Sequence, residues 1–324
     1  MRIFILLLVL LSLAACSASP SALSSSEVAT APDPTTTPHA TATTPPTMAP
    51  TASPTAIDLQ FDGERALAHA EAQCAIGPRP AGSEALLETR DYIIETLEGE
   101  GWEIVRQDGE FMGVPIHNVI AVKGEGSARM VGAHYDTRPV ADMDPENPQQ
   151  PIIGGNDGAS GVAALLELAR VLEVPEGMQV QLAFFDAEDR GNLDGWPFSV
   201  GARQVAEGLG GLPIERPESM VVLDMVGDAD LQIFRERNSD IALNDTLFGI
   251  ADELGFDEDG FYNRERFTII DDHLPFLEQG IPAVDLIDFD YPYWHTTEDT
   301  CDKLSAESLY KVGRVVEVWL EEER

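Results

Sequence analysis

Positive charge is what this chain has least of. Its 324 residues hold 20 Lys+Arg against 57 Asp+Glu, a formal net charge of −37 at pH 7. A surface so negative repels phosphate backbones, which excludes nucleic acid as a partner, and it attracts cations, including metal ions and the α-amino group of a peptide. The plainer reading of the same count is an acidic surface that serves solubility. Long hydrophobic runs are also missing. The one unbroken run, Ile3 to Leu11, falls short of the ~20 residues that a permanent membrane helix needs. From Ser17 to Ala56 there is no aromatic residue and almost no charge. That excludes a packed core there, because too little apolar surface is available to offset the entropy of ordering. Cysteine is confined to Cys16, Cys74 and Cys301, and no internal repeat is present.

The N-terminus carries its own signal. Arg2, the apolar run and the small residues of Leu13-Ala14-Ala15-Cys16 make a secretory signal over residues 1–16. Leu-Ala-Ala-Cys resembles the bacterial lipoprotein cleavage box, which implies an exported protein held in the cell envelope through an acylated Cys16. An ordinary signal peptide with an incidental cysteine is the alternative. Residues 17–56, rich in Ser, Thr and Pro, read as a tether reaching roughly 35 Å. Residues 57–324 are long enough for one large domain with a full core. Outside the cytoplasm the two remaining cysteines have the option of a Cys74–Cys301 disulfide, set against two free thiols.

Within that domain apolar periodicity places helices at 61–74, 84–99, 159–172, 241–254 and 305–322. Strands are expected at 102–107, 116–122, 129–133, 180–185, 220–223 and 282–287. Their alternation implies a three-layer α/β domain, its central sheet mostly parallel and covered by helices on both faces. Ligands in such sheets bind beyond the carboxyl ends of the strands. Here those ends carry His134, Asp157, Glu188 with Asp189, Asp224 and His295. Singly, each has an ordinary explanation. His134 and His295 suit hydrogen-bonded structural histidines, Asp157 suits a helix N-cap and Asp224 a turn. The adjacent Glu188-Asp189 after a very apolar strand is the exception, since buried carboxylates are costly unless paired or metal-bound. Together they offer the nitrogen and oxygen donors that zinc takes, and leave Glu188 free beside the metal as a general base.

The segments Gly132–Asp136, Gly155–Gly161, Phe184–Gly191, Leu223–Gly227 and Trp294–Thr297 resemble those of the zinc aminopeptidase and glutaminyl cyclase superfamily. The likeness runs from Gly77-Pro78-Arg79-Pro80 to the C-terminus. The run Asp271-Asp272-His273-Leu274-Pro275-Phe276-Leu277, with Gly280-Ile281-Pro282 and Trp294-His295-Thr296, is most similar to the glutaminyl-peptide cyclotransferases. The resemblance implies a zinc exopeptidase-like fold with Asp157, Asp189 and His295 on one zinc and Glu188 shuttling protons. It further implies that Asp224 and Asp271 form a supporting acid network and that Trp196 and Trp294 line the substrate pocket. Three positions depart from the pattern. Asp189 stands where a glutamate is usual, Asp285 where animal cyclases carry histidine, and Trp196 lies two residues further from Glu188.

As a cyclase the protein acts on peptides or proteins with a free N-terminal glutamine, forming pyroglutamate and ammonia. The alternative is a zinc aminopeptidase, with a second metal on His134, Asp157 and Asp224. A more distant alternative is a solute-binding lipoprotein, which needs none of these ligands. The expected assembly is a monomer that meets the membrane only through Cys16.

Overall fold

The computed structural model describes residues 61–322. The signal, the tether and Cys16 lie outside the described residues. In chain order the elements are α1 (Gly63–Ile76), α2 (Glu84–Gly99), β1 (Glu103–Phe111), β2 (Val114–Gly124), β3 (Ser127–His134), α3 (Ala159–Val171) and β4 (Met178–Phe185). There follow α4 (Val200–Gly208), β5 (Pro217–Asp224), β6 (Ile233–Arg235), α5 (Ile241–Glu253), β7 (Phe261–Glu265), α6 (His273–Glu278), β8 (Ala283–Ile287) and α7 (Ala306–Glu321).

The strands form a six-stranded sheet in the order β1-β2-β4-β3-β5-β8 and a separate ribbon of β6 and β7. β4, β3, β5 and β8 run parallel, while β1 and β2 join antiparallel at one side. The β1–β2 turn is two residues long, and Met112 and Gly113 both take positive φ. That is the turn whose twist matches a hairpin. Alternation along each strand divides the core in two. Val131, Leu182, Phe184, Val221 and Leu223 pack with α2, α3, α5 and α7 on one face. Met130, Ala183, Phe185, Met220 and Val222 pack with α4 and α6 on the other. Helices therefore cover both faces, as periodicity implied. The central helix α3 is buried on almost every side, which is why it reads so strongly in the sequence.

Four short elements are not anticipated from the sequence: α4, α6, β6 and β7, all nine residues or fewer. Cys74 of α1 and Cys301 are joined in a disulfide across a sequence separation of 227, so the expected pairing is present.

The start of α3 lies directly against the carboxyl end of β5. A Cβ at Gly161 would sit 2.1 Å from the carbonyl oxygen of Leu223. Gly161→Ala is therefore expected to destabilise the domain by about 1–3 kcal/mol through overpacking, read as a lowered urea midpoint. An unchanged midpoint would contradict this packing.

Candidate metal centre

Because β4, β3, β5 and β8 run parallel, their carboxyl ends share one edge. β3 ends at His134 and β5 at Asp224, β4 leads into Glu188-Asp189, and the loop after β8 carries Trp294-His295. Asp157 arrives from the turn before α3, whose N-cap is Gly158 with no side-chain cap bond. The Asp157 carboxylate is thus free of the capping duty that its position suggested. A Cβ at Gly158 would lie 2.5 Å from the His134 carbonyl oxygen and 2.6 Å from its ring, so only glycine lets the two segments meet.

The side chains converge around Asp157. Its Oδ1 lies 3.1 Å from His134 Nε2, and its Oδ2 lies 3.7 Å from His295 Nε2. His134 Nε2 is also 3.3 Å from Asp224 Oδ1, and His295 Nε2 is 3.1 Å from Asp189 Oδ1. Two triads result, His134–Asp157–Asp224 and Asp157–Asp189–His295, each able to hold a metal ion. All five side chains are buried, and Asp189 Oδ2 has no hydrogen-bond partner in the protein. An unsatisfied buried carboxylate oxygen beside two imidazoles is the donor chemistry of a zinc site, so the residues present fit the metal.

Outer contacts orient this set; the sequence pairs Asp136 with His134 at its strand end but gives Arg138 and Asp142 no part. Asp136 accepts from the backbone N–H groups of Glu188 at 2.9 Å and Asp189 at 3.2 Å, and its Oδ1 lies 3.5 Å from His134 Nδ1. Arg138 reaches Asp189 at its carbonyl oxygen (3.3 Å) and Oδ1 (3.4 Å), and forms a bidentate pair with Asp142. Asp142 in turn lies 3.4 Å from His295 Nδ1. Asp136 and Arg138 grip the backbone of residue 189 directly. That accounts for how an aspartate, one methylene shorter than the usual glutamate, still reaches the triad. The fully buried Arg79 donates to the carbonyls of Tyr135, Ile153 and Gly154, tying the His134 and Asp157 segments together.

Behind the metal cluster lies a third buried group, Glu188 with Asp271 and Asp272. Burial first, then the charge of Asp271, holds the Glu188 carboxyl well above the usual carboxylate range. Burial, then Asp224, pushes Asp271 up to about 7. Burial, then Asp157, pushes Asp189 up to about 6. Burial opposes protonation of His134, but hydrogen bonds to Asp136, Asp157 and Asp224 outweigh it and raise its pKa. His295 is raised in the same way by Asp189. Asp285, at the histidine position of the animal enzymes, is buried, is pushed well above the usual carboxylate range by burial and then by the charge of Asp271, and lies 3.8 Å from His273 Nδ1.

A cavity of about 250 Å³ opens onto Asp157, Glu188, Asp189, Asp224, Asp271 and His295, walled by Met225, Ile269, Phe289 and Trp294. Trp294 stacks on His295 with centroids 3.8 Å apart and packs against Phe289. Trp196 does not line this cavity. Left-handed backbone at Asp194 and Gly195 turns it into an apolar cluster with Ile116, Ala187 and Val200, edge-on to Phe111. Phe198 takes the wall position instead.

Comparison with known proteins places this geometry in context. The sequence pattern of peptidase family M28 matches residues 118–320. The glutaminyl-peptide cyclotransferase-like protein of Bos taurus is 28% identical over 283 residues, covering 75% of this chain and 72% of that one. The crystal structure of Fimbriiglobus ruber glutaminyl cyclase superposes with a TM-score of 0.73 at 30% identity, covering 81% of this chain and 95% of that one. A Zn-dependent exopeptidase from Parabacteroides distasonis superposes with a TM-score of 0.76 at 28% identity, covering 81% and 99%.

The crowding of carboxyls sets a pH dependence. When metal is stripped away, Asp189 and Asp271 keep protons in the folded chain up to about 6 and about 7, whereas unfolded aspartate releases them near pH ~4. His134 and His295 also hold theirs to higher pH when folded. Both sets make the folded state the proton-richer one, so stability falls as pH rises across this range. Thermal unfolding in chelator should give a lower midpoint at pH 7.5 than at pH 5, and added zinc should restore the loss. A midpoint that rises with pH would contradict the burial of these groups.

Proposed function

The chain belongs to peptidase family M28, and from that premise we infer that it is a zinc-dependent glutaminyl-peptide cyclotransferase. The observation that carries the reading is the cavity. Trp294, held flat on a metal-ligand histidine, and Phe289 close a space of about 250 Å³ over the metal cluster and Glu188. That volume suits one side chain of glutamine size beside the metal-binding residues. The cyclotransferase relatives of similar sequence and structure support the same reading.

Zinc, when bound, supplies Lewis-acid polarisation of the substrate amide carbonyl, and Asp157, Asp189 and His295 would hold it. The chain's own part is positioning and proton transfer. The apolar wall folds the glutamine side chain back toward its own α-amine, and this orientation supplies much of the acceleration. Glu188 faces the reacting atoms from a buried, carboxylate-rich setting, where a raised pKa suits a group that must both accept and return a proton. It takes a proton from the attacking α-amine as the N–C bond forms. It returns that proton to the departing amide nitrogen as the C–N bond breaks, so ammonia leaves and Glu188 is unchanged. Asp271 lines the same cavity beside Glu188, and its charge helps to hold the Glu188 carboxyl well above the usual range.

One observation favours a second reading. His134, Asp157 and Asp224 form a complete triad of their own. With a second zinc there, Glu188 would instead activate water for an aminopeptidase. One bound zinc per chain fits the cyclase and two fit the peptidase. Lipid anchoring through Cys16, an envelope location and a monomeric state complete the proposal. The signal-like N-terminus supports the first two, and a net charge of −37 opposes self-association.

Peptides beginning with glutamine and with leucine separate the readings by mass spectrometry. Loss of ammonia from the first alone, abolished by a chelator, is expected. Release of the first residue from either would establish the peptidase. Glu188→Gln should keep zinc by elemental analysis and lower turnover by about 10²–10⁴-fold. Near-normal turnover would remove Glu188 from its role.

A further inference from the structure

One segment follows directly on His295 and touches the loops that carry Asp157 and Asp224. Beyond His295 the chain runs as a strap through Thr296–Ser305. The carbonyl of His295 accepts from Met143 N–H, and the backbone N–H and hydroxyl of Thr297 both donate to Asp144. Asp299 then meets the Asp157 turn. Its Oδ1 accepts from Asn156 N–H at 2.8 Å, its Oδ2 from Asp157 N–H at 3.3 Å, and its carbonyl from Gly155 N–H at 3.3 Å. The Tyr291 hydroxyl donates to the same carboxylate at 2.8 Å. Cys301 is bonded to Cys74 of α1. Further on, Lys303 O accepts from Ala229 N–H, and Ser305 N–H donates to Gly227 O, just beyond Asp224.

The Asp157 turn needs outside support. It contains Gly154, Gly155 and Gly158, which impose little backbone preference of their own, and α3 starts there without a side-chain cap. Two buried polar side chains clamp this turn. Arg79 binds the carbonyls of Ile153 and Gly154 from one side, and Asp299, the carboxylate that attracts Arg79 most strongly, binds the next three N–H groups. The fit is close, since a Cβ at Gly155 would lie 2.5 Å from the Thr300 carbonyl carbon. Asp299 is wholly buried and does not line the cavity.

We propose that Asp299 is the positioning residue that sets the separation of Asp157 and His295, and that the Cys74–Cys301 disulfide keeps its strap in register for metal binding. His295 and Asp157 lie 3.7 Å apart at their nearest approach, so neither fixes the other by a close bond. Asp299 lies four residues after one ligand and bonds the backbone of the other. Asparagine there has the same shape but offers one acceptor oxygen, and its amide group would face an N–H donor.

The proposal rests on the zinc reading of the site and not on which peptide reaction follows. The test is zinc affinity of the full-length protein, measured by competition with a chromophoric chelator. Asp299→Asn should weaken zinc binding by about 10–100-fold, the range seen for groups that orient metal ligands. Tyr291→Phe and the Cys74→Ser/Cys301→Ser pair should weaken it measurably, above threefold. Leu97→Ala, a destabilised control in the α2 core, should leave it unchanged. Affinity of folded Asp299→Asn within threefold of the parent overturns the proposal, and so does an equal loss in Leu97→Ala. If Asp299→Asn does not fold, the other two variants decide, and unchanged affinity in both overturns it. Failure of the cyclase reading would show separately, as parent protein that binds zinc and forms no pyroglutamate.

Discussion

The structure turns on negative charge confined where water is scarce. Asp136, Asp157, Glu188, Asp189, Asp224, Asp271, Asp272, Asp285 and Asp299 are all buried at or near one sheet edge, while Arg79, Arg138, His134, His273 and His295 are the buried groups there able to carry positive charge. A buried carboxylate left unpaired costs several kcal/mol or gives up its charge by taking a proton. Much of this edge therefore has two stable conditions, protonated or bound to a cation. Zinc is what the donor set calls for. The start of α3 favours the ionised form of Asp157, because the positive end of its dipole lies beside that carboxylate.

The fold makes this concentration possible by separating support from function. Parallel strands β4, β3, β5 and β8 hold their carboxyl ends in fixed neighbouring order, with apolar side chains filling both faces below. Above that edge the chain is all loop, and loop backbone has few preferences of its own. The outer contacts, Asp136 on 188–189, Arg138 on 189–191, Arg79 on 153–154 and Asp299 on 155–157, therefore do at the top what the ladder does in the sheet. Most of these are side chain to backbone bonds, so they position the main chain, and the ligands follow.

This division explains what could be read from the sequence. Runs such as Val180–Phe185 and Met220–Leu223 are apolar because the sheet buries both faces, and an acidic residue directly after such a run has no structural reason to be there. Glu188 and Asp189 stand out on that ground alone, whereas His134 and Asp224 gain their meaning from the set. The supporting contacts leave no comparable trace. Arg79 meets Ile153 from 74 residues away, and Asp299 meets Asn156 from 143. Nothing in the local pattern around Asp299 distinguishes it from any acidic loop residue. Trp196 shows the opposite error. An aromatic after the acidic pair resembled the cyclase pattern two residues out of place, and positive φ at Asp194 and Gly195 in that longer loop sends its ring into the core. The ribbon of β6 and β7 was unreadable because its strands span three and five residues.

The ligand set by itself does not choose between cyclisation and peptide hydrolysis, since both need a metal on Asp157 and a base at Glu188. What differs is the space a substrate can occupy. Hydrolysis needs a water at the reacting carbonyl and a path for the peptide on both sides of it. Cyclisation needs water kept out and the substrate doubled back on itself, so that the only nucleophile within reach is its own amine. Trp294 cannot swing aside cheaply, because its ring is stacked on His295 and wedged against Phe289, which packs in turn on Phe267. Opening the wall would disturb His295, a candidate metal ligand. A pocket whose wall is fastened to its own metal centre favours the reaction that needs confinement, and this mechanical link, more than any donor atom, weighs toward the cyclase.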